Sequence, residues 1–244
     1  MVNGIIIIPT YNEIENIERL VRNVFSLQGR FHILVVDDNS PDGTADRVRT
    51  LQAEFRDRLF IEEREGKMGL GTAYIHGFKW ALKKDYDYIF EMDADFSHNP
   101  NDLIRLYNTC KRDEADMAIG SRYVTGVNVI NWPMNRVLMS WLASKYVKFI
   151  TGMEIHDTTA GFVCYKKEVL EKINLDKIQF VGYAFQIEMK FKAYLLKFRI
   201  AEVPVIFTDR TRGTSKMSGS IISEAAFGVI KMKIKSLFNR MRLQ

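Results

Sequence analysis

The sequence predicts an α/β protein whose mostly parallel sheet is covered by helices on both faces. Short β-branched runs alternate with longer helical segments through the first half of the chain. The runs are apolar along their whole length, which is typical of strands buried on both faces. A chain of 244 residues suits one large domain with a sizeable core.

The first half follows a regular order of strand and helix. Strands are predicted over 5–8, 33–36, 59–61, 88–92 and 117–119. The intervening helices are predicted over 14–27, 44–55, 72–82 and 103–111. This alternation favours parallel strands joined by crossover helices.

The pattern changes after residue 132. A long helix over 133–150 precedes a strand near 162–165, a helix over 184–196 and a strand over 200–207. A loop rich in Gly, Ser and Lys over 212–219 leads into a terminal helix. Since no repeat, linker or low-complexity segment divides the chain, we expect a single domain over 1–244.

Composition excludes several classes of protein. With 47% hydrophobic and 27% charged residues, the chain is neither disordered nor collagen-like. Cys110 and Cys164 stand far apart without ligand-like neighbours, so we expect no disulfide framework and a reducing compartment. The net charge of +5 equals the charge of the five basic residues in 231–244. The rest of the chain is neutral, which argues against a nucleic-acid binder.

No segment is expected to cross a bilayer. The N-terminal isoleucine run lacks a preceding basic region and predicts a strand, not a signal peptide. The most apolar long stretch, over 132–153, contains Arg136, Lys145 and Lys148, which a spanning helix would not tolerate.

Polar side chains follow the predicted strands, at the edge where open α/β sheets bind ligands. Asp93 and Asp95 come where a strand ends, and their two-residue spacing directs both carboxylates to the same side. Such a pair forms half a shell for a hard cation, and Ser97 adds a hydroxyl oxygen. The alternative, a cap for the helix beginning near Pro100, explains Ser97 or Asn99 but not the two aspartates. We therefore favour a metal site.

The ends of the first two strands predict a nucleoside site. Asp38 suits a base or ribose as an acceptor, Tyr11 suits stacking, and Glu13 suits ribose hydroxyls. The alternatives are a turn and N-cap over 42–44 and a favourable first-turn charge at Glu13. The glycine-rich loop over 66–72 opens a helix and suits phosphate, but it matches neither a dinucleotide fingerprint nor a P-loop.

Four basic residues in predicted loops or helix starts form a candidate phosphate clamp. They are Arg122, Arg136, Arg212 and Lys216. Arg212 and Lys216 share a flexible segment with fixed positive charge, as a closing clamp needs. The alternative for each of them is solvated surface charge.

These segments resemble inverting family 2 glycosyltransferases. The motifs that carry the likeness span 9–13, 37–44, 69–74, 93–98 and 120–123. Within that family, segments 131–133, 159–162 and 212–216 resemble the dolichol-phosphate (polyprenol-phosphate) mannosyltransferases. The resemblance implies a GT-A (Rossmann-like) fold, a GDP-mannose donor, a polyprenyl or dolichyl phosphate acceptor, and Mg²⁺ or Mn²⁺.

The resemblance also implies a division of the domain and roles for its residues. It implies a nucleotide-sugar-binding half over 1–125, an acceptor half over 126–219, and a basic amphipathic helix over 220–244. The nucleoside would contact Pro9, Tyr11, Glu13, Val36 and Asp38.

The remaining implied roles concern charge. Asp93, Ala94 and Asp95 would meet the ribose-diphosphate and the metal, with Asp95 the direct ligand and Ser97 beside it. Arg212 and Lys216 would hold the donor diphosphate, and Arg122 and Arg136 the lipid phosphate. An acceptor that is already anionic needs no general base, so we expect a single in-line displacement with inversion.

A hydrocarbon-tailed acceptor requires the protein to reach a bilayer. The helix over 133–150 and the basic terminal helix are amphipathic, and we expect the chain at the cytoplasmic face of a membrane. Alternatively, both helices pack on this chain or on a small membrane-embedded partner subunit. Glu188 is expected on the surface rather than at the sugar. Three other functions stay open: transfer from another donor such as UDP-glucose, a silent nucleotide-binding scaffold, and a soluble sugar-nucleotide pyrophosphorylase.

Overall fold

A computed structural model describes residues 3–112, 115–182, 184–209 and 219–241, without the side chains of 219–225 and 239–241. In this part of the chain a seven-stranded sheet has the strand order β3-β2-β1-β4-β7-β5-β8. Its strands are β1 (Gly4–Thr10), β2 (His32–Asp37), β3 (Leu59–Glu63), β4 (Tyr88–Glu91), β5 (Met117–Ser121), β7 (Val163–Lys166) and β8 (Ile200–Pro204). A separate pair joins β6 (Val129–Ile130) to β9 (Phe207–Thr208).

Helices cover both faces of the sheet, as the sequence predicts. They are α1 (Ile17–Ser26), α2 (Thr44–Glu54), α3 (Leu70–Leu82), α4 (Asp102–Lys111), α5 (Met134–Thr151), α6 (Lys167–Lys172), α7 (Ala184–Leu195) and α8 (Gly219–Met241). Alternate residues of β1 enter opposite cores: Ile5 and Ile7 pack on one face, Ile6 and Ile8 on the other. The mostly parallel α/β fold is therefore confirmed, with the whole-length apolar strands explained by two-sided burial.

The first four strands of the sheet, β3-β2-β1-β4, are parallel; β3, β2 and β1 end level, and β4 ends three residues earlier. Thr10 of β1 pairs with Asp37 of β2, and Ile7 pairs with Glu91, the last residue of β4. The loops that follow these strands consequently open at one edge.

The second half departs from a simple parallel order. Strand β7 lies antiparallel between β4 and β5, and β8 returns parallel to β5. The predicted strand over 200–207 is wrong as a single strand, because the chain leaves the large sheet after Pro204 and pairs again as β9 with β6. Proline has no N–H to extend the ladder, which accounts for a boundary there.

Some helices also differ from the sequence prediction. Helix α1 begins at Ile17 rather than 14, because the Glu13 carbonyl accepts the N–H groups of Asn16 and Ile17 in a preceding turn. Helix α6 and a 3₁₀ turn at Leu175–Lys177 were not predicted. Helix α5 ends at Thr151 and is capped by Gly152, whose φ of 76° is in the left-handed region.

Helix α8 packs against α5 and α7. Two polar contacts fasten it to α5: the Tyr146 hydroxyl donates to the Ala226 carbonyl at 2.9 Å, and Lys233 Nζ donates to the Thr151 carbonyl at 2.8 Å. Among the described residues, no helix is both long enough and apolar enough to span a membrane.

Candidate active site

Three loops at the shared edge of the sheet each contain a non-glycine residue with positive φ. Asn12 follows β1 with φ 59°, Asn39 follows β2 with φ 57°, and Phe96 follows β4 with φ 60°. Asparagine tolerates this left-handed region, whereas a bulky residue such as phenylalanine is strained in it. Strain of this kind persists where the surroundings enforce it, and here it lies between Asp95 and Ser97.

The predicted metal ligands lie together in the loop after β4. The Tyr74 hydroxyl donates to Asp93 Oδ1 at 3.2 Å, and the Ser97 N–H donates to Asp95 Oδ1 at 3.0 Å. The Ser97 hydroxyl oxygen is buried and has no hydrogen-bond partner among the described residues. Asn99, not Ser97, accepts a backbone N–H at the start of α4, from Asn101 at 3.1 Å. The capping alternative for Ser97 is therefore not what the structure has.

Two carboxylates and an orphaned hydroxyl oxygen are the donor types of a hard divalent cation. In the described ranges, no group of three or more His, Cys, Asp and Glu side chains forms a protein-only metal cage. An incomplete shell is what a cation shared with phosphate oxygens requires, because magnesium sites commonly combine one or two carboxylates with substrate phosphates. The residues present therefore fit such a cation.

His98 closes the same loop from beneath. Its ring stacks on Phe162 at 4.8 Å between centroids, and its Nδ1 lies 3.4 Å from the Asp93 N–H, which donates to it. Burial lowers the pKa of His98 to about 4, so the imidazole is neutral near pH 7.

At the end of β2, Asp38 is engaged by a residue that the sequence reasoning missed. Arg64 Nε donates to Asp38 Oδ1 at 2.6 Å, and Arg64 NH1 donates to Thr72 at 2.8 Å. Burial raises the pKa of Asp38, while Arg64 and the Met68 N–H oppose that rise. Asp38 thus ties the glycine-rich loop to the sheet, and Arg64 lies beside the predicted nucleoside site. The position of Arg64 just before the glycine-rich loop was the one sequence feature that could have indicated this role.

The other predicted nucleoside residues divide into edge and core. Pro9, Tyr11 and Glu13 are partly exposed, and Lys67 Nζ lies 5.2 Å from the centre of the Tyr11 ring. Glu13 accepts a hydrogen bond from Asn16 Nδ2 at 2.9 Å, a contact that belongs to the start of α1. Val36 is fully buried in the core, which leaves only its backbone for a ligand.

Ala94 resembles Val36 in being buried, with its side chain packed in the core between the two aspartates. The turn predicted over 42–44 is present: Asp42 Oδ1 accepts the Thr44 N–H at 3.0 Å and the Thr44 hydroxyl at 2.6 Å.

Gly71 of the glycine-rich loop packs closely against the segment before α7. A Cβ at Gly71 would lie 2.8 Å from the Phe185 ring and 2.9 Å from the Phe180 carbonyl. The Gly71 N–H donates to the Val181 carbonyl at 2.8 Å and is therefore used within the fold. The absence of a side chain lets α3 approach the segment before α7.

Arg122 is held rigidly by an aspartate that the sequence reasoning also missed. Asp157 accepts Arg122 Nε at 2.6 Å, Arg122 NH2 at 2.7 Å and the Arg122 backbone N–H at 3.0 Å. Burial disfavours an ionised Asp157, yet the Arg122 guanidinium keeps the pKa of that carboxyl below its ordinary value. Thr159 Oγ1 accepts a further bond from Arg122 NH2 at 2.9 Å. Asp157 could have been suspected because it precedes the 159–162 motif by two residues.

Aromatic rings surround the same guanidinium. The Arg122 Cζ lies 5.2 to 5.5 Å from the ring centres of Tyr123, Trp132 and Phe207. Arg136 stacks on the Trp132 ring at 4.0 Å and pairs with Asp209 at 2.8 Å. Two cations are thereby positioned around one indole, in geometry that favours cation–π attraction.

One cavity of about 420 Å³ brings these groups together. Its charged end contains Asp93, Asp95, Ser97, Arg122 and Arg136. Its other end lies between α5, α7 and α8 and is apolar, lined by Met139, Leu142, Ala143, Tyr146, Val147, Ile187 and Val229. Residues from both halves of the chain thus line one cavity, which is ionic at one end and apolar at the other.

Other predicted residues lie outside the described part of the chain or differ from their expected position. Arg212, Lys216 and Arg242 lie outside the described residues, as does the side chain of Arg240. The expectation that Glu188 is on the surface is wrong: it is buried, and its carboxylate accepts the N–H groups of Gln179 and Phe180 at 2.8 and 3.1 Å. The Glu188 carboxylate therefore has a structural role, because it accepts the backbone N–H groups of a neighbouring turn.

Helices α5 and α8 each present an apolar side to solvent. Phe149 is 85% exposed, Met134 78% and Phe227 75%. Other exposed apolar side chains on these helices are Leu138, Met139, Trp141, Leu142, Ile230, Ile234, Leu237 and Phe238. The opposite sides of both helices are partly buried, so packing on this chain accounts for one side of each helix and leaves the other exposed.

A mostly parallel sheet with an Asp-x-Asp segment after β4 and a cavity at the strand ends defines the GT-A class of glycosyltransferase folds. The glucosyl-3-phosphoglycerate synthase of Mycobacterium tuberculosis, solved with Mn²⁺, UDP and glucosyl-3-phosphoglycerate, shares this fold. Its TM-score is 0.66 at 15% identity, covering 96% of this chain and 79% of that one.

The chain belongs to glycosyl transferase family 2, whose model matches residues 5–174. It is 47% identical to the polyprenol monophosphomannose synthase of Mycolicibacterium smegmatis, over 98% of this chain and 89% of that protein. It is 42% identical to the undecaprenyl-phosphate mannosyltransferase of Micrococcus luteus, over 97% of this chain and 96% of that protein. The family resemblance inferred from the motifs is confirmed.

Proposed function

We propose that this protein transfers mannose from GDP-mannose to a polyprenyl (dolichyl) phosphate, with inversion at the anomeric carbon. The observation that carries the proposal is the cavity with an ionic end and an apolar end, because an acceptor that joins a phosphate to a hydrocarbon needs both. The two mannosyltransferase relatives, similar over nearly the full chain, support the sugar and the acceptor.

The reaction is a single displacement. One oxygen of the acceptor phosphate forms a bond to the anomeric carbon while the bond from that carbon to the donor diphosphate breaks. A phosphate monoester is already anionic near neutral pH, so no side chain has to remove a proton from it. The demand on the protein is to hold two anionic groups close together.

Arg122 and Arg136 are assigned to the acceptor phosphate. Arg122 is already oriented by Asp157 and Thr159, so little reorganisation is needed when charge arrives. Arg136 is more exposed and is paired with Asp209 at the cavity wall. Arg212 and Lys216 are assigned to the donor diphosphate, as the family resemblance implies.

Asp95, with Ser97 and Asp93, would hold Mg²⁺ or Mn²⁺. A cation there would supply charge neutralisation for the departing diphosphate. The orphaned Ser97 hydroxyl supports this assignment, since a buried polar atom without a partner requires an explanation.

The identity of the donor base is the part of the proposal that the site residues constrain least. Asp38 and Arg64 together offer an acceptor beside a donor, an edge that guanine can pair with. Uracil also presents an N–H beside a carbonyl, so a uridine donor such as UDP-glucose is the second candidate. Pro9, Tyr11 and Glu13 at the end of β1 complete the proposed nucleoside site.

The decisive experiment compares donors directly. Purified protein is incubated with a short polyprenyl phosphate, Mg²⁺ or Mn²⁺, and labelled GDP-mannose, UDP-glucose or UDP-N-acetylglucosamine. We expect label in the organic extract from GDP-mannose alone. Label from UDP-glucose alone would replace the donor, and donor binding without transfer would support a nucleotide-binding scaffold. Formation of free sugar-nucleotide from a sugar phosphate would support a pyrophosphorylase.

The exposed apolar sides of α5 and α8 are proposed to lie on the cytoplasmic face of a membrane. Exposed Lys145, Lys231 and Lys235 accompany this surface, and such lysines attract anionic headgroups. Contact with a small membrane-embedded subunit is the other use of the same surface. Binding to protein-free vesicles of anionic lipid separates the two.

A further inference from the structure

Behind the cavity lies a charged residue that the proposed reaction does not use. Lys190 of α7 is fully buried, and its ammonium group donates to the Ala160 carbonyl at 2.6 Å. It also lies 3.2 Å from the Gln186 carbonyl and 3.3 Å from Gln186 Oε1. Burying an ammonium group is costly unless such acceptors surround it.

A buried carboxylate lies at the other end of the same network. Glu91, the last residue of β4, is fully buried and accepts the Tyr165 hydroxyl at 2.8 Å. It also accepts a hydrogen bond from Gln186 Nε2. The Gln186 amide therefore links the two charges, and we call Glu91, Gln186 and Lys190 the buried bridge.

The buried bridge reaches both sides of the ionic end of the cavity. Glu91 stands two residues before Asp93 in the chain. Lys190 holds the carbonyl of Ala160, and Thr159, immediately before it, accepts a hydrogen bond from Arg122. Thr159, Ala160 and Gln186 themselves line the cavity.

Stability alone is a poor reason to bury these charges. Replacing a buried ion pair by neutral residues of similar volume is often neutral or stabilising, whereas removing one partner is destabilising. Both groups are fully buried, and burial lowers the pKa of Lys190, which is the cost of keeping its charge in the core. Because the buried bridge is costly to keep, we look for its role in positioning the groups that line the cavity.

We propose that Lys190 is a positioning residue: by fixing the Ala160 carbonyl, it sets Thr159 and hence Arg122 for the acceptor phosphate. The inference rests on the proposed function, because it takes the acceptor phosphate as the ligand of Arg122. It assigns Lys190 no contact with substrate.

The test separates the charge balance of Lys190 from its hold on Ala160. In Lys190→Met, both are lost, and Glu91 is left without its counter-charge. In Glu91→Gln/Lys190→Met, the charge balance returns but the Ala160 carbonyl still lacks its donor. In the matched control Tyr165→Phe, one hydrogen bond to Glu91 is lost and the Ala160 contact is kept.

Steady-state kinetics with a short polyprenyl phosphate and melting temperatures are measured for the three variants. We expect the acceptor KM to rise about tenfold or more in both Lys190 variants, while the donor KM stays within about twofold. We expect the double variant to recover much of the melting temperature lost in Lys190→Met, without recovering the acceptor KM. Tyr165→Phe is expected to lower the melting temperature and leave the acceptor KM unchanged.

Recovery of both the melting temperature and the acceptor KM in the double variant would make Lys190 a mere counter-ion of Glu91 and overturn the inference. So would an unchanged acceptor KM in both Lys190 variants, or failure of both to fold. A wild-type protein that transfers sugar from none of the donors overturns the proposed function, and this inference with it.

Discussion

The two sides of the site are built in different ways. The donor side comprises the loops after β1, β2 and β4, where each group lies within a few residues of a strand end. The acceptor side comprises the region from Arg122 to Gly161 with α5, α7 and α8, and its groups meet through contacts between residues far apart in the chain. Arg122 pairs with Asp157, and Arg136 with Asp209.

The comparison shows that strand topology positions the groups of the donor side, whereas pairing between side chains positions those of the acceptor side. The ends of parallel strands share an edge by construction, so Asp95 reaches the site because β4 lies beside β1. Arg122 has its orientation because a buried carboxylate accepts two of its guanidinium N–H groups. Changes on the donor side should therefore affect chemistry, and changes on the acceptor side should affect both geometry and stability.

The largest expected effect lies on the donor side. Asp95→Ala should reduce transfer by on the order of 10³-fold or more, because the cation that neutralises the departing diphosphate loses its ligand. Transfer should likewise disappear with EDTA and return with excess Mg²⁺ or Mn²⁺. Asp176→Ala, which removes an exposed carboxylate paired with Lys79, is the control. Undiminished transfer by Asp95→Ala, or in EDTA, would contradict the metal assignment.

The acceptor side should respond in stability as well as in binding. Asp157→Asn removes one partner of a buried bidentate pair and should lower the free energy of unfolding by about 3 kcal/mol. The acceptor KM should rise with it, because Arg122 loses its orientation. Denaturant unfolding and steady-state kinetics measure the two effects.

The chain offers a matched control for this variant. Arg22 and Glu54 form the same bidentate contact, at 2.7 and 2.8 Å, on an exposed surface. Glu54→Gln should change stability little, since water and salt screen such a pair. Equal losses of stability in the two variants would remove the distinction between the buried and exposed pairs.

A smaller effect is expected at the exposed side of α8. Lys231→Gln/Lys235→Gln should weaken binding to anionic vesicles by about 2 kcal/mol at low salt, at about 1 kcal/mol for each charge near the surface. Lys83→Gln/Lys84→Gln, at the end of α3, changes the net charge equally and should bind as the wild type does. Vesicle sedimentation across a salt series measures both, and identical binding by the two variants would contradict the proposed membrane face.

The smallest expected effect is a pH dependence of stability from His98, the buried residue of the donor side that stacks on Phe162. Its pKa is lowered by burial from 6.5 to about 4, so between these values the unfolded chain binds a proton that the folded chain does not. Stability from this group is present above pH 6.5 and is lost as the pH falls towards 4, by up to about 1.4 kcal/mol per pH unit.

Glu91 shifts in the opposite sense, because burial raises its pKa and its contribution grows as the pH falls. The readout is therefore the difference in unfolding free energy between the wild type and His98→Asn at pH 7 and pH 5. We expect the advantage of the wild type to shrink at pH 5. A difference that does not change with pH would show that His98 titrates alike in the folded and unfolded chains.

Much of the donor side could be predicted from the sequence. The apolar runs ending at Ile8, Val36 and Met92 predicted parallel strands, and the polar residues after them consequently belonged to one edge. The exceptions have local causes. The resemblance implies ligand contacts for Val36 and Ala94, but their side chains are buried in the core. In the 66–72 loop, Gly71 packs closely against Phe185 and Gly69 against Val181.

The acceptor side was predicted less well, because its partners follow no short spacing. Asp157 and Lys190 are ordinary charged residues in the sequence, and only the fold shows that each is buried against a specific hydrogen-bond partner. Arg64, on the donor side, was missed for the same reason. Glu188 was expected on the surface for the same reason: a helical period does not reveal whether a carboxylate closes a neighbouring turn.

The sequence by itself determined the α/β class, most strands of the large sheet, and the identity of the residues at their ends, because hydrophobic periodicity and strand-end position act over a few residues. Only the tertiary structure decided which charges are paired, which side chains are buried, and that the ionic groups share one cavity with an apolar wall. The physical reason is the separation along the chain between the residues that interact. Electrostatic pairing and burial depend on distances in space between residues separated by 35 positions, as in Arg122 and Asp157, or by 95, as in Glu91 and Gln186.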